Sequence, residues 1–199
     1  MASVNDTIVR EYFEMLGFMV RQPRKYQVAA RSRKKAREEV DLIVVNPGGA
    51  QAGESASLLW TGQDLKHVSQ AVVGVRGWHT DRFSPAVLKL APEVCRFAAA
   101  DVVDGLASEL SDAPVSRILC LSELPASKQL QSETLDVLKE NGIDGVLLFP
   151  IMLLELLRGV DTNKNYEKSN LLQLLRILKT YDLVRDSQLE LFKGRRKSE

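Results

Sequence analysis

Asp41 stands in the run "EEVDLIVVNPGG", two residues after Glu39, and that spacing puts both carboxylates on one face of an extended strand. A second apolar run, "AVVGVRGWHT" over residues 71–80, carries Gly74 and Arg76 at the same spacing and leads into a turn holding Trp78 and His79. Carboxylates converging from neighbouring elements are the ligands Mg²⁺ prefers, and Mg²⁺ polarises a phosphate and lowers the pKa of an attacking water. Arg76 has two readings, a phosphate contact or a salt bridge to Asp41 that fills the space of a metal. Glycine weakens a strand and packs nothing, so Gly74 needs a reason to be there.

The elements that must position these residues can be read from periodicity. A first helix carries Ile8, Val9, Tyr12, Phe13 and Leu16 as an apolar stripe, with Asn5 as its expected cap and Gly17 as its stop. "FMVRQPRKYQV" reads as an extended piece leading to a basic loop, "EEVDLIVVNPGG" as a strand ended by Pro-Gly-Gly, and residues 48–59 as a surface loop. One long amphipathic helix is expected from about Pro92 to Leu110. "VSRILCLSEL" reads as a strand, "SETLDVLKENG" as a helix closed by Asn-Gly, and "GVLLFPI" as another strand. From about Met152 to Phe192 the chain reads as wholly helical. The alternation predicts an α/β fold, a sheet with helices on its faces.

Composition narrows the function. The chain has 199 residues, 45% hydrophobic and 27% charged, with a net charge of +1. That near-neutral sum hides eight basic residues between Arg21 and Arg37 with no acid among them, and a second cluster of Lys193, Arg195, Arg196 and Lys197. Such clusters suit a polyanion better than the net charge suggests. Cys95 and Cys120 lie in apolar runs and read as buried free thiols rather than a disulfide or a zinc site. The most apolar window, "GVLLFPIMLLELL", is too short to span a bilayer and holds Pro150 and Glu155. With no signal-peptide pattern, the expected location is the cytoplasm, away from membranes. Walker, GxGxxG and GxSxG patterns are absent from the sequence.

Taken with the order helix, strand, strand with Asp41, strand with Gly74 and Arg76, helix, strand, the chain resembles the PD-(D/E)xK restriction-endonuclease-like superfamily. Its Holliday-junction resolvases and Mrr-type enzymes likewise open with a helix ending in a Gly-Phe step, here Gly17-Phe18. The resemblance spans roughly residues 5 to 150. It implies a restriction-endonuclease-like central mixed sheet flanked by helices, an acid on the first helix, a metal-binding Asp on the second strand and Glu-x-Lys on the third. Asp41 matches the metal-binding Asp, with Val40 in place of the motif's proline; Glu11, or alternatively Asp6, would supply the helix carboxylate. The third strand departs from the pattern, reading Gly74-Val75-Arg76, so the acid is missing and arginine replaces lysine. The "GWHT" immediately downstream is similar to the residues after Glu-x-Lys in some bacterial members.

The resemblance therefore implies a restriction-endonuclease-like core over residues 1–150; the helical pattern and the basic cluster beyond it are expected to form a C-terminal extension with a basic tail over 151–199. The chain's function is expected to be that of a nuclease-fold protein with a degenerate site, acting as a nucleic-acid-binding or assembly module. Alternatives are an active nuclease using Asp41 with a relocated carboxylate (Glu39, Glu11 or Asp81), and a protein-interaction subunit. Mg²⁺ is the expected cofactor if the chain is active, held by Asp41, and none otherwise. Nucleic acid, with DNA the expected form, would be met by Arg31, Arg33, Lys34, Lys35, Arg37 and His79. The C-terminal helices are the expected surface for a homodimer or a protein partner.

Overall fold

The computed structural model describes residues 3–23, 40–53, 55–77 and 82–184. The first helix, α1 (Val4–Met15), starts at a capping box: the Ser3 hydroxyl accepts the Asp6 amide and the Asp6 carboxylate accepts the Ser3 amide. Ser3, not Asn5, is therefore the cap, because it stands three residues before an acid that can return the bond. The helix ends in a Schellman turn. Gly17 takes a φ of 92°, the Phe18 and Gly17 amides close on the Phe13 and Glu14 carbonyls, and the Phe13 and Phe18 rings meet edge to face at 5.4 Å. The Gly-Phe step is thus a helix terminator with its apolar clasp.

Strands β1 (Met19–Arg21), β2 (Leu42–Val45), β3 (Gln70–Arg76), β4 (Val115–Leu121) and β5 (Gly145–Leu148) form one sheet in the order β1-β2-β3-β4-β5. The first three pair antiparallel, and the β3–β4 and β4–β5 pairs are parallel. Fold class is accordingly α/β, with a five-stranded mixed sheet flanked by helices. Period-two alternation splits the strands between two cores. Leu42, Val44, Ala71, Val73, Ile118, Cys120 and Leu147 face α1, α5 (Phe149–Gly159) and α6 (Asn170–Thr180). On the other face, Ile43, Val72, Leu119, Leu121 and Val146 meet α2 (Pro85–Leu90), a 3₁₀ segment (Pro92–Ala98), α3 (Ala100–Asp104) and α4 (Lys128–Glu140).

Several expected elements differ. The long helix from Pro92 to Leu110 is broken, since Ala99 is extended (φ −65°, ψ 143°) between the 3₁₀ segment and α3, which stops at Gly105. Its alanine-rich run favours helix, but burying Val94, Cys95, Phe97 and Ala98 against the sheet overrides that preference, and an Arg96–Asp101 ion pair spans the break. α2, capped by Ser84 with Pro85 in its first turn, precedes it where none was expected. Strand β5 stops at Leu148 and α5 begins at once, with Pro150 in its first turn; the final helical stretch is interrupted between Gly159 and Asn170. α5 packs Phe149, Met152 and Leu156 into the same core as α1. α6 turns Leu171, Leu172 and Leu175 inward and leaves Leu174, Ile177 and Tyr181 exposed.

The loop expected over residues 48–59 does structural work at its end. Leu59 bridges Val146, the Trp60 amide donates to the Val146 carbonyl, and the Leu58 carbonyl accepts the Val146 amide, so β5 has its outer edge covered. Gly145 is glycine because the Trp60 ring lies on it; a Cβ there would come within 2.2 Å of ring carbons. Among the described residues, no helix is long and apolar enough to cross a membrane.

Candidate functional site

Asp41 lies one residue before β2, its amide donating to the Val73 carbonyl at 3.1 Å. Pairing of β2 with β3 ends at Leu42–Val73, so the Val75 amide points past the last strand partner on that side. Asp41 supplies the missing acceptor: its Oδ2 takes the Val75 amide at 2.8 Å and the Arg76 guanidinium at 2.6 Å. Arg76 Nη1 also donates to the Val75 carbonyl at 3.0 Å. Both side chains are largely withdrawn from solvent, 11% and 14% exposed.

A third residue closes the group. Phe97, fully buried on the 3₁₀ segment, lies with its ring centroid 5.8 Å from the Arg76 guanidinium carbon, a cation–π contact worth roughly 0.5–2 kcal/mol. The same ring covers Gly74, where a Cβ would stand 2.5 Å from ring carbons Cδ1 and Cε1 and 3.0 Å from Cγ. Gly74 and Arg76 share this sheet face, as the spacing predicts. The space above Gly74 is therefore filled by an aromatic ring, and the glycine is what allows the ring to approach.

Cys95 sits beside this group and Cys120 pairs with Val75 across the β3–β4 ladder; both are buried free thiols. Burial pushes the Cys95 thiol up to about 11, with nearby Arg76 pulling slightly the other way. Burial raises Cys120 as well, and the Asp41 carboxylate adds to the shift. Neither is a poised nucleophile.

The first-helix candidates go elsewhere. Asp6 is committed to the capping box. Glu11 is buried, 3.5 Å from the Arg10 guanidinium, and lines a cleft with Glu14, Val160 and Leu172 between α1, the segment after α5, and α6. The α1 residue that reaches the end of β3 is Asn5, whose amide donates to the Gly77 carbonyl at 3.1 Å. Six residues further on, Glu11 stands about 9 Å along the helix axis and on another side of it. Glu39, His79, Trp78, Asp81 and the basic residues Arg31, Arg33, Lys34, Lys35 and Arg37 lie outside the described residues, as does the C-terminal basic cluster. Arg21, from the start of the basic run, pairs with Glu109 at 3.2 Å.

Sequence reasoning thus brought together Asp41, Gly74 and Arg76 and missed Phe97 and Asn5. Asn5 was legible as a polar residue in a first turn, though with the wrong partner. Phe97 had no signal, since nothing in a helix-like run says which strand residue its ring will cover.

These residues do not fit Mg²⁺. The Asp41 oxygen that would bind it is already shared by a backbone amide and a guanidinium, and a cation entering there would meet the Arg76 charge. A carboxylate side chain at position 74 would meet the Phe97 ring at its first carbon. Among the described residues, no three His, Cys, Asp or Glu side chains converge as metal ligands. What the group can do is join β2, β3 and the 3₁₀ segment through one buried ion pair and one ring. No protein-family model, curated protein or solved structure matches the chain.

Proposed function

We propose that the chain is a nuclease-fold protein whose hydrolytic site has become a structural joint, and that it acts as a nucleic-acid-binding or assembly module. The observation that carries this reading is the Asp41–Arg76 ion pair under Phe97, at the strand positions where the resemblance puts metal ligands. An antiparallel three-strand meander continued by parallel pairing agrees with the resemblance. The acid-free basic run between Arg21 and Arg37 supports a polyanionic partner, because clustered cations release counterions from a phosphate backbone.

Fluorescence anisotropy with labelled single- and double-stranded DNA and RNA, over a salt series, tests the proposal. Binding should weaken steeply with salt and fall at least tenfold when Arg33, Lys34 and Lys35 are changed together to Glu. Parallel incubations with Mg²⁺ or Mn²⁺ should leave the nucleic acids intact. Absent or salt-independent binding would refute the module reading; cleavage lost in Asp41→Ala would restore the active-nuclease reading.

A further inference from the structure

Helix α6 holds no buried residue, although six of its eleven side chains are leucine or isoleucine. Leu171, Leu172 and Leu175 pack against the core shared with α1 and α5, while Leu174, Ile177 and Tyr181 form an outward row three and four residues apart. The helix ends in a Schellman turn. Asp182 takes a φ of 57°, the Leu183 and Asp182 amides close on the Leu178 and Lys179 carbonyls, and exposed Leu183 follows the row. Leu174 is 52% exposed and Tyr181 71%. With Ile177 and Leu183 they leave roughly 400 Å² of apolar surface, the size of patch that on a monomer is often functional.

The charges around the row say what fits it. Arg176 Nε donates to the Thr162 carbonyl at 2.9 Å, and Lys179 Nζ donates to the Leu157 and Val160 carbonyls at 3.0 and 2.8 Å. Both cations of the helix are thus turned onto the end of α5 and the segment after it, and the row is left uncharged. Exposed charges of opposite sign stand at its two ends, Lys168 before the helix and Asp182 after it. Neither makes an ion pair among the described residues; Glu167, beside Lys168, accepts the Asn165 amide.

We infer that α6 pairs with α6 of a second copy of the chain, antiparallel about a two-fold axis that crosses the helix between Leu174 and Ile177. That arrangement sets Leu174 against the partner's Ile177 and each Lys168 near the partner's Asp182, whereas parallel pairing would oppose like charges. Two rows bury roughly 800 Å² of apolar surface. With a polar rim of about a third, the interface reaches about 1,200 Å², the lower end of the stable range. It lies outside residues 5–150 and does not depend on the nuclease resemblance.

Sedimentation velocity of the full chain without nucleic acid, from about 1 to 100 µM, tests the pairing. A reversible monomer–dimer equilibrium is expected in that range. Leu174→Glu and Ile177→Lys, at exposed positions that folding tolerates, should each weaken it at least tenfold. Lys168→Gln, and Asp182→Asn, which keeps the left-handed turn, should each weaken it about threefold, and no further when combined. A chain that stays monomeric throughout overturns the inference, as do folded Leu174 and Ile177 variants that dimerise unchanged. Charge variants whose effects simply add would overturn the antiparallel arrangement.

Discussion

The Phe97 ring occupies the position that a side chain on residue 74 would need, so these two residues, on a 3₁₀ segment and on a central strand, are sized to each other. One methyl group at position 74 would overlap two ring carbons. The ring cannot retreat easily, because it is fully buried and also lies against Arg76.

Gly74→Ala should therefore destabilise the chain by about 1–3 kcal/mol through overpacking. Phe97→Leu in the Gly74→Ala background should recover part of that loss. Urea denaturation of both single variants and the double variant measures the coupling; strictly additive costs would show that the two positions are independent.

Removing one partner of the joint should cost more than removing both. Asp41→Ala leaves the Arg76 charge and the Val75 amide without their shared acceptor, a loss of about 3–5 kcal/mol. Asp41→Ala with Arg76→Met removes the stranded charge and should be less destabilising than Asp41→Ala alone. Denaturant midpoints decide this, and a double variant weaker than the single one would contradict it.

Under the nuclease reading, the hydrolytic motif cannot be rebuilt on β3 alone. Gly74→Glu with Arg76→Lys should fold poorly, since the new side chain meets Phe97 at its first carbon. Adding Phe97→Ala opens the space, and this triple variant should bind Mn²⁺ measurably by titration calorimetry. A folded triple variant without metal affinity would detach these strands from the nuclease pattern.

Stability should fall in alkali. A thiol whose pKa is raised on folding stays protonated in the native chain while its unfolded counterpart ionises near 9, so the unfolded state releases its proton first. For Cys95 the loss runs between about 9 and about 11, and buried Cys120 and Tyr12 push in the same direction. Urea titrations from pH 8 to pH 11 should show the decline, with a shallower slope for Cys95→Ala. A slope unchanged in Cys95→Ala would place that thiol in contact with water, and a flat profile would contradict the burial of all three groups.

The strands were legible because β-branched runs bounded by Pro, Gly and Asn leave few alternatives, whereas which strand residues join which of the two cores came only from the structure. Asp41 and Arg76 were legible as a pair only through the resemblance, which implies one site for both strand positions; the two-residue spacing says only that Gly74 and Arg76 share a face. Around Phe97 the local code misleads: "RFAAADVV" favours helix residue by residue, and the break at Ala99 goes with burying Val94, Cys95, Phe97 and Ala98 against a sheet whose strands lie elsewhere in the sequence. Glu11 shows a related limit. Distance from the helix stop says how far along α1 it sits, but which neighbour it faces depends on where α6 docks.

Glu155 shows what such distant contacts mean for a chain made from its N-terminus. Its carboxylate accepts the Tyr12 hydroxyl at 2.6 Å and the Gly62 amide at 3.1 Å, from residues 143 and 93 positions earlier. Tyr12 is fully buried, and part of its cover comes from α5. Helix α1 thus leaves the ribosome more than a hundred residues before α5, and the part of its apolar face that α5 covers stays open until α5 has emerged.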